Sequence, residues 1–213
     1  NGAKVLCDVT TLEHARKAQD LGADGVIAVC QGAGGHAGPI TPLVLIPWLK
    51  SELEIPVIAA GGIAHGAAMA ACLALGAAGV SVGTRFIASR EATIDPAYKD
   101  AVLRASAEDI VMTTRLSGTP AAVIKTPYIE KMGTDLPWAL KILKDNPRTK
   151  KFAVPLIHLL GMKRLEEAAT KATWKSVWSA GQSVGLVDDI RSVREIIQKF
   201  QREYEAAVKS LPT

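Results

Sequence analysis

A single histidine set among four glycines is the stretch of this chain best suited to chemistry: Gln31-Gly32-Ala33-Gly34-Gly35-His36-Ala37-Gly38. Imidazole is the ordinary side chain whose unperturbed pKa lies near neutrality, so His36 can give or take a proton at physiological pH. Glycine lets the backbone take positive φ and lets a ligand come close. The loop looks mobile, and the same residues also read as nothing more than a tight turn. Two further glycine stretches, Gly61-Gly62-Ile63 and Gly83-Thr84, each follow an apolar run. Loops of this kind feeding helix N-termini gather backbone N–H donors into a phosphate cradle, with the Thr84 hydroxyl as an added donor. Gly32 to Ala37 also fits G-x-G-x-x-A, but a dinucleotide fingerprint must open a helix. Here Pro39, Thr41 and Pro42 follow closely, and the next strand closes in Ala59-Ala60-Gly61 with no acidic residue. The other histidines read as structural: His14 on a solvated helix face, His65 as a cap or surface group, His158 as a packing residue. No Ser or Cys stands in a nucleophile elbow, and no Cys/His spacing fits a metal site.

Positioning these loops takes a repeated strand–helix unit. Val5 to Val9 is a short apolar strand; Thr10 or Thr11 then caps a helix through Ala15, Ala18 and Leu21, which Gly22 closes. Gly25 to Cys30 is a second strand, and its lack of polar alternation implies that both faces are covered. Pro39 and Pro42 are expected to hold the chain extended before a helix from Val44 to Ser51. Ile55 to Ala60 and Gly79 to Val82 are the third and fourth strands, with an alanine-rich helix over Ala67 to Leu75 between them. Another helix is expected over Ala97 to Ser106. The strands recur at roughly 25 to 30 residues, the period of a right-handed βαβ crossover. Beyond Arg104 the pattern loosens. Ile110 to Thr114 reads as extended, and Thr134 to Lys144, Leu156 to Ala172 and Ser192 to Ser210 as helical. The last carries Val193, Ile196, Ile197, Phe200, Tyr204 and Val208 at a helical rhythm. The fold class is α/β, either half of an eight-stranded barrel or most of an open doubly wound sheet. A barrel uses the loops after its strands, an open sheet its switch point.

Composition narrows the partners. The 213 residues are 48% hydrophobic and 22% charged, enough for one sizeable core. Aromatics are only 5%, so the core must be built from Ala, Val, Ile and Leu, as in parallel sheets flanked by helices. A net charge of +4 is mild, and the densest basic run, Lys141 to Lys151, reads as a solvated helix end and loop. No nucleic-acid partner is expected. Cys7, Cys30 and Cys72 sit in apolar surroundings without CxxC spacing, as buried free thiols of a reducing, cytoplasmic compartment do. No apolar run approaches the roughly 18 residues that cross a bilayer. Asn1-Gly2-Ala3-Lys4 leads straight into a strand, with no signal peptide.

Taken together, Ala33-Gly34-Gly35-His36-Ala37-Gly38, Pro56-Val57-Ile58-Ala59-Ala60-Gly61-Gly62-Ile63 and Gly83-Thr84-Arg85-Phe86 resemble the nitronate monooxygenases, once called 2-nitropropane dioxygenases. Trp178-Ser179-Ala180-Gly181-Gln182 with Gly185-Leu186 resembles that family's C-terminal segment. The resemblance runs from about Lys4 to about Asp189. It implies an FMN-dependent TIM (β/α)8 barrel, of which this chain supplies roughly the last four βα units and a helical C-terminal segment. Residues 1–115 would be the barrel half and residues 116–213 the segment packing on it and on the substrate pocket. Gly61, Gly62, Ile63, Gly83 and Thr84 would hold the FMN phosphate. Gly34 and Gly35, with Gln31, would line the isoalloxazine, and Gln182 would reach toward the cofactor. His36 would be the catalytic base. The first strand departs from the family in carrying Cys7 and Asp8 where a basic residue often stands, and an acid there changes the field at the flavin. A half barrel also leaves two open strand edges, so the missing N-terminal half is expected in the same or another chain. The implied activity is oxidation of an alkyl nitronate with dioxygen. The same loop resembles that of the FMN-dependent enoyl-acyl-carrier-protein reductases and of NAD(P)H–quinone reductases, where NAD(P)H would supply electrons to an enoyl thioester or a quinone. A non-catalytic barrel-half subunit is the reading from another class.

Overall fold

The computed structural model describes residues 2–116, 118–147, 149, 151–155, 157, 159 and 177–211. The helix expected over Leu156 to Ala172 falls almost wholly, and His158 wholly, outside them. The first half of the chain alternates strand and helix: β1 (Leu6–Val9), α1 (Leu12–Asp20), β2 (Gly25–Val29), α2 (Pro42–Glu52), β3 (Val57–Ala60), α3 (Gly66–Ala74) and β4 (Gly79–Ser81). Two further helices follow, α4 (Thr84–Ile87) and α5 (Pro96–Arg104). Local chemistry sets several boundaries. The Thr11 hydroxyl accepts from the His14 amide and starts α1, and Gly22, at φ +87°, ends it. Pro42 does not prolong the extended stretch, as expected, but is the first residue of α2. Its fixed φ suits a first helical turn and its missing N–H costs nothing there.

The four strands are parallel and in the order β1-β2-β3-β4. Each strand therefore lies beside its neighbour in sequence, with no reversal of order. Val9, Val26, Ala28, Cys30, Val57 and Ala59 are buried on one face, against Leu45, Ile46 and Leu49 of α2 and Ile196 and Phe200 of the last helix. A sheet whose helices lie on one side and whose order runs straight is the barrel arrangement, not the doubly wound one. The opposite face carries Asp8, Ile27, Val29, Ala60 and Ser81, in register across the strands. Ile27 and Val29 are only half-buried. The expectation that both faces of β2 are fully covered is thus corrected, because this face lines an open cavity rather than a packed layer.

The described residues of the second half begin with strands. An antiparallel hairpin joins β5 (Ile110–Thr113) to β6 (Ala121–Ile124). Then come α6 (Pro127–Met132), α7 (Trp138–Asp145), a 3-10 turn over Gln182–Leu186, and the long α8 (Val193–Ser210). The helix expected from Thr134 begins only at Trp138, after Pro137. α8 opens with a capping box, Ser192 and Glu195 each bonding the other's amide. It crosses α3 so closely that a β carbon on Gly66 would stand 2.1 Å from the Phe200 carbonyl oxygen. Of the cysteines, Cys30 and Cys72 are buried and Cys7 is half-exposed. No helix among the described residues is long and apolar enough to cross a membrane.

Candidate functional site

A cavity of about 380 Å³ opens at the C-terminal ends of β2, β3 and β4. Its floor is the inward face of the sheet, and its walls are the loops after those strands. Gly34, Gly35, Gly61, Gly62, Ile63, Gly83 and Thr84 all line it, so the structure brings these predicted residues together. Gln31 and His36 are exposed and are not among the lining residues. The Gln31 backbone N–H donates to the Ile40 carbonyl at 2.8 Å, and Gln182, also exposed, packs its side-chain oxygen beside Gly32.

The Gly–His loop is pinned, contrary to its mobile look. Gly35 exchanges both backbone hydrogen bonds with Ala122 of β6, at 3.1 and 2.7 Å. The Gly32 carbonyl accepts from Gly62 and from Gln182. The Gly38 amide donates to Val29. Several glycines here serve close approach between loops: a β carbon on Gly34 would meet the Ala180–Gly181 peptide at 2.8 Å, and one on Gly181 the Gly32 oxygen at 2.3 Å.

Sequence reasoning assigned no site role to four of the polar lining residues. Ser179 and Ser183 come from the C-terminal segment, Tyr98 from α5, and Ser81 from the end of β4. Ser81 carried a signal, since it stands two residues before the Gly83-Thr84 loop; Tyr98 carried none, being an aromatic on a surface helix. Segment Trp178–Ser183 lies over the cavity like a strap. Trp178 accepts from Ile124 of β6 at 2.9 Å, and Gly181 donates to the Thr84 hydroxyl at 3.0 Å. The Tyr98 hydroxyl donates to the Ser179 carbonyl, and its ring stacks on Trp178 with centroids 5.8 Å apart. Burial pushes the Tyr98 phenol up to about 12, so it stays protonated throughout the physiological range.

The electrostatics depend on neutral groups. Asp8 is the one charged residue among the lining residues described, and no Lys or Arg joins it. Arg85 follows Thr84 but is buried and committed elsewhere: its guanidinium donates to the Asp189 carboxylate at 2.8 Å and to the Asp189 carbonyl at 2.9 Å. Partial burial pushes the Asp189 carboxyl up, yet the Arg191 hydrogen bond and the charges of Arg85 and Arg191 outweigh it and hold it below the usual carboxylate range. Helix α3, expected to offer its N-terminus to a phosphate, is already capped by the chain. Glu203 of α8 accepts from the Gly66 amide at 2.8 Å, and His65 Nδ1 accepts from Ala68 at 3.2 Å. An anion in the cavity would therefore meet the glycine loops and hydroxyls such as that of Thr84. The backbone fits that use. Gly62, at φ +74°, and Gly83 would each carry a β carbon into open space, with nothing within 4 Å. The main chain at both positions is bare toward the cavity, as close approach to a phosphate requires.

A family model described as nitronate monooxygenase matches residues 1–203. A nitronate monooxygenase of Paraburkholderia phytofirmans is 31% identical, over 99% of this chain and 57% of its own length. A (3aS,4S,5R,7aS)-5-hydroxy-7a-methyl-1-oxo-octahydro-1H-indene-4-carboxyl-CoA dehydrogenase of Mycobacterium tuberculosis is 30% identical, over 93% of this chain and 64% of its own. Among solved structures, FabK from Thermotoga maritima superposes with a TM-score of 0.80 at 36% identity, covering 98% of this chain and 63% of that one. The chain thus spans a little over half to nearly two thirds of the length of these relatives. Its straight-ordered parallel sheet, one-sided helices and strand-end cavity belong to the TIM-barrel type of α/β fold that these neighbours imply, and the chain is a member of the nitronate monooxygenase family.

Proposed function

We propose that this chain supplies roughly the last four βα units of an eight-stranded barrel that binds FMN and oxidises alkyl nitronates with dioxygen. Residues 1–115 would form the barrel half, and residues 116–213 would pack on it and on the substrate pocket with β6, the strap and α8. The observation that carries the reading is the strand-end cavity walled by bare glycine backbone, in a chain of the nitronate monooxygenase family. Support for the missing half comes from the relatives' greater length and from β1 and β4, which end the four-stranded sheet. When bound, FMN would supply the electron acceptor and the site of reaction with dioxygen. The protein's own part is binding and orientation. Gly61, Gly62, Ile63, Gly83 and Thr84 would hold the phosphate, and Gly34 and Gly35 would flank the ring. His36, next to Gly35 and facing outward, would meet substrate at the cavity rim. There an imidazole nitrogen would take the α-proton of a neutral nitroalkane, a step that a preformed nitronate does not need.

The FabK likeness and the carboxyl-CoA named in the mycobacterial relative favour one other reading, reduction of an enoyl thioester by NAD(P)H. Anaerobic mixing separates the two. Bleaching of a bound flavin by propyl-2-nitronate, and not by NADPH, is the expected result; rapid bleaching by NADPH alone would overturn it. His36→Ala should lower turnover of neutral nitroethane by roughly 10²-fold and leave ethyl nitronate turnover almost unchanged. Equal loss on both substrates would assign His36 a role other than the base.

A further inference from the structure

We propose that Tyr98 is a positioning residue for phosphate recognition: it fixes the Trp178–Ser183 strap, whose Gly181 amide in turn sets the Thr84 hydroxyl as a donor into the cavity. This rests on the FMN reading above and adds to it a chain of contacts between α5 and the phosphate end. The first link is Tyr98, which grips two consecutive strap residues, the carbonyl of Ser179 through its hydroxyl and the ring of Trp178 by stacking at an interplanar angle of 10°. The second link lies two residues on, where Gly181 donates to the buried Thr84 oxygen at 3.0 Å. Gly181 sits tight against the Gly32 carbonyl, with no room even for a β carbon, which would stand 2.3 Å from that oxygen.

A hydroxyl has one hydrogen and two lone pairs. With the Gly181 N–H on one lone pair, the Thr84 hydrogen must turn away from that amide, and Thr84 faces the cavity. That direction matters because the site has no lining cation among the described residues, and the adjoining Arg85 is neutralised by Asp189. A doubly charged phosphate there depends on oriented neutral donors, and a hydrogen bond to a charged group is stronger than one between neutral groups. Loosening the strap frees the hydroxyl to rotate, and the phosphate then loses a preset donor.

Riboflavin, which lacks the phosphate, separates this role from general support of the fold. Dissociation constants for FMN and riboflavin, read from flavin fluorescence, are compared for the unaltered protein and for Tyr98→Phe, which keeps the ring. Thr84→Val and Thr84→Ser are measured alongside. Tyr98→Phe and Thr84→Val should each weaken FMN by about tenfold or more and change riboflavin less than about threefold. Thr84→Ser should restore FMN binding, and the Tyr98→Phe/Thr84→Val pair should bind no worse than the weaker single variant, because both cut one chain of contacts. Equal losses for the two flavins, or losses that simply add, would overturn the proposal while leaving the FMN site standing. Unaltered protein that binds neither flavin would overturn the FMN reading itself, and this proposal with it.

Discussion

A β carbon on Gly181 would stand 2.3 Å from the Gly32 carbonyl oxygen, whereas one on Gly62 would meet nothing within 4 Å. The two glycines are needed for different reasons: one for the contact between strap and loop, the other for a backbone at φ +74°. Gly181→Ala must force two backbones apart and should cost about 3 kcal/mol. Gly62→Ala pays only for its left-handed conformation, about 1 kcal/mol. Urea midpoints of the two variants check this order. The thiols divide in the same residue-by-residue way. Burial, with the neighbouring Cys72, pushes Cys30 up to about 11, and burial raises Cys72 as well. In the folded protein at pH 7.5, iodoacetamide should label the half-exposed Cys7 first, with Cys30 and Cys72 following only on unfolding. At this scale the glycine loops and His36 stood out because of their type and spacing. Ser183 and Tyr98 did not, and Ser179 stood out only as part of a motif, because nothing in a serine or a helical tyrosine reveals which loop it will face.

At the scale of elements, the strand–helix repeat could be read because α1 and α3 each start at a side-chain cap, Thr11 and His65, and stop at a glycine, Gly22 and Gly76. Of the hairpin, β5 falls where Ile110 to Thr114 reads as extended, but β6 escaped notice. All four residues of β6 are buried, Ala121 to Ile124, and so short a run without alternation has no period to detect. Its neighbour α6 did carry a signal, Thr126 as cap with Pro127 in the first turn. The junction between the strap and α8 makes a testable contribution to stability. Asp189 has a folded-state pKa held below its unfolded value of about 3.9, so its stabilisation is fully present above that value and is lost as pH falls through the folded one. Asp189→Asn should therefore be less stable than the unaltered protein at pH 7, and the gap should narrow steadily below about pH 4. A gap that stays constant from pH 7 to pH 3 in chemical denaturation would remove Asp189 from the account.

For the molecule as a whole, a straight strand order and helices on one face were enough to choose a barrel over a doubly wound sheet. Apolar patterning alone could not, since β2 reads as continuous hydrophobic residues whether its inner face meets packed side chains or a cavity. Gly66→Ala probes the global closure, because a methyl group there meets the α8 backbone at 2.1 Å. It should lower the thermal midpoint by several degrees, and more than Gly79→Ala, whose β carbon would meet nothing within 4 Å. The cap that Glu203 provides to Gly66 also sets a timetable. The bond spans 137 residues, and at ordinary rates of translation the ribosome needs roughly 7 to 27 s to make that length. Through that interval α3 has His65 as its local cap while the surface awaiting Phe200 stays uncovered. The third strand–helix unit is thus synthesised well before it can be finished, and a nascent chain halted between Gly66 and Glu203 would be a substrate for chaperones.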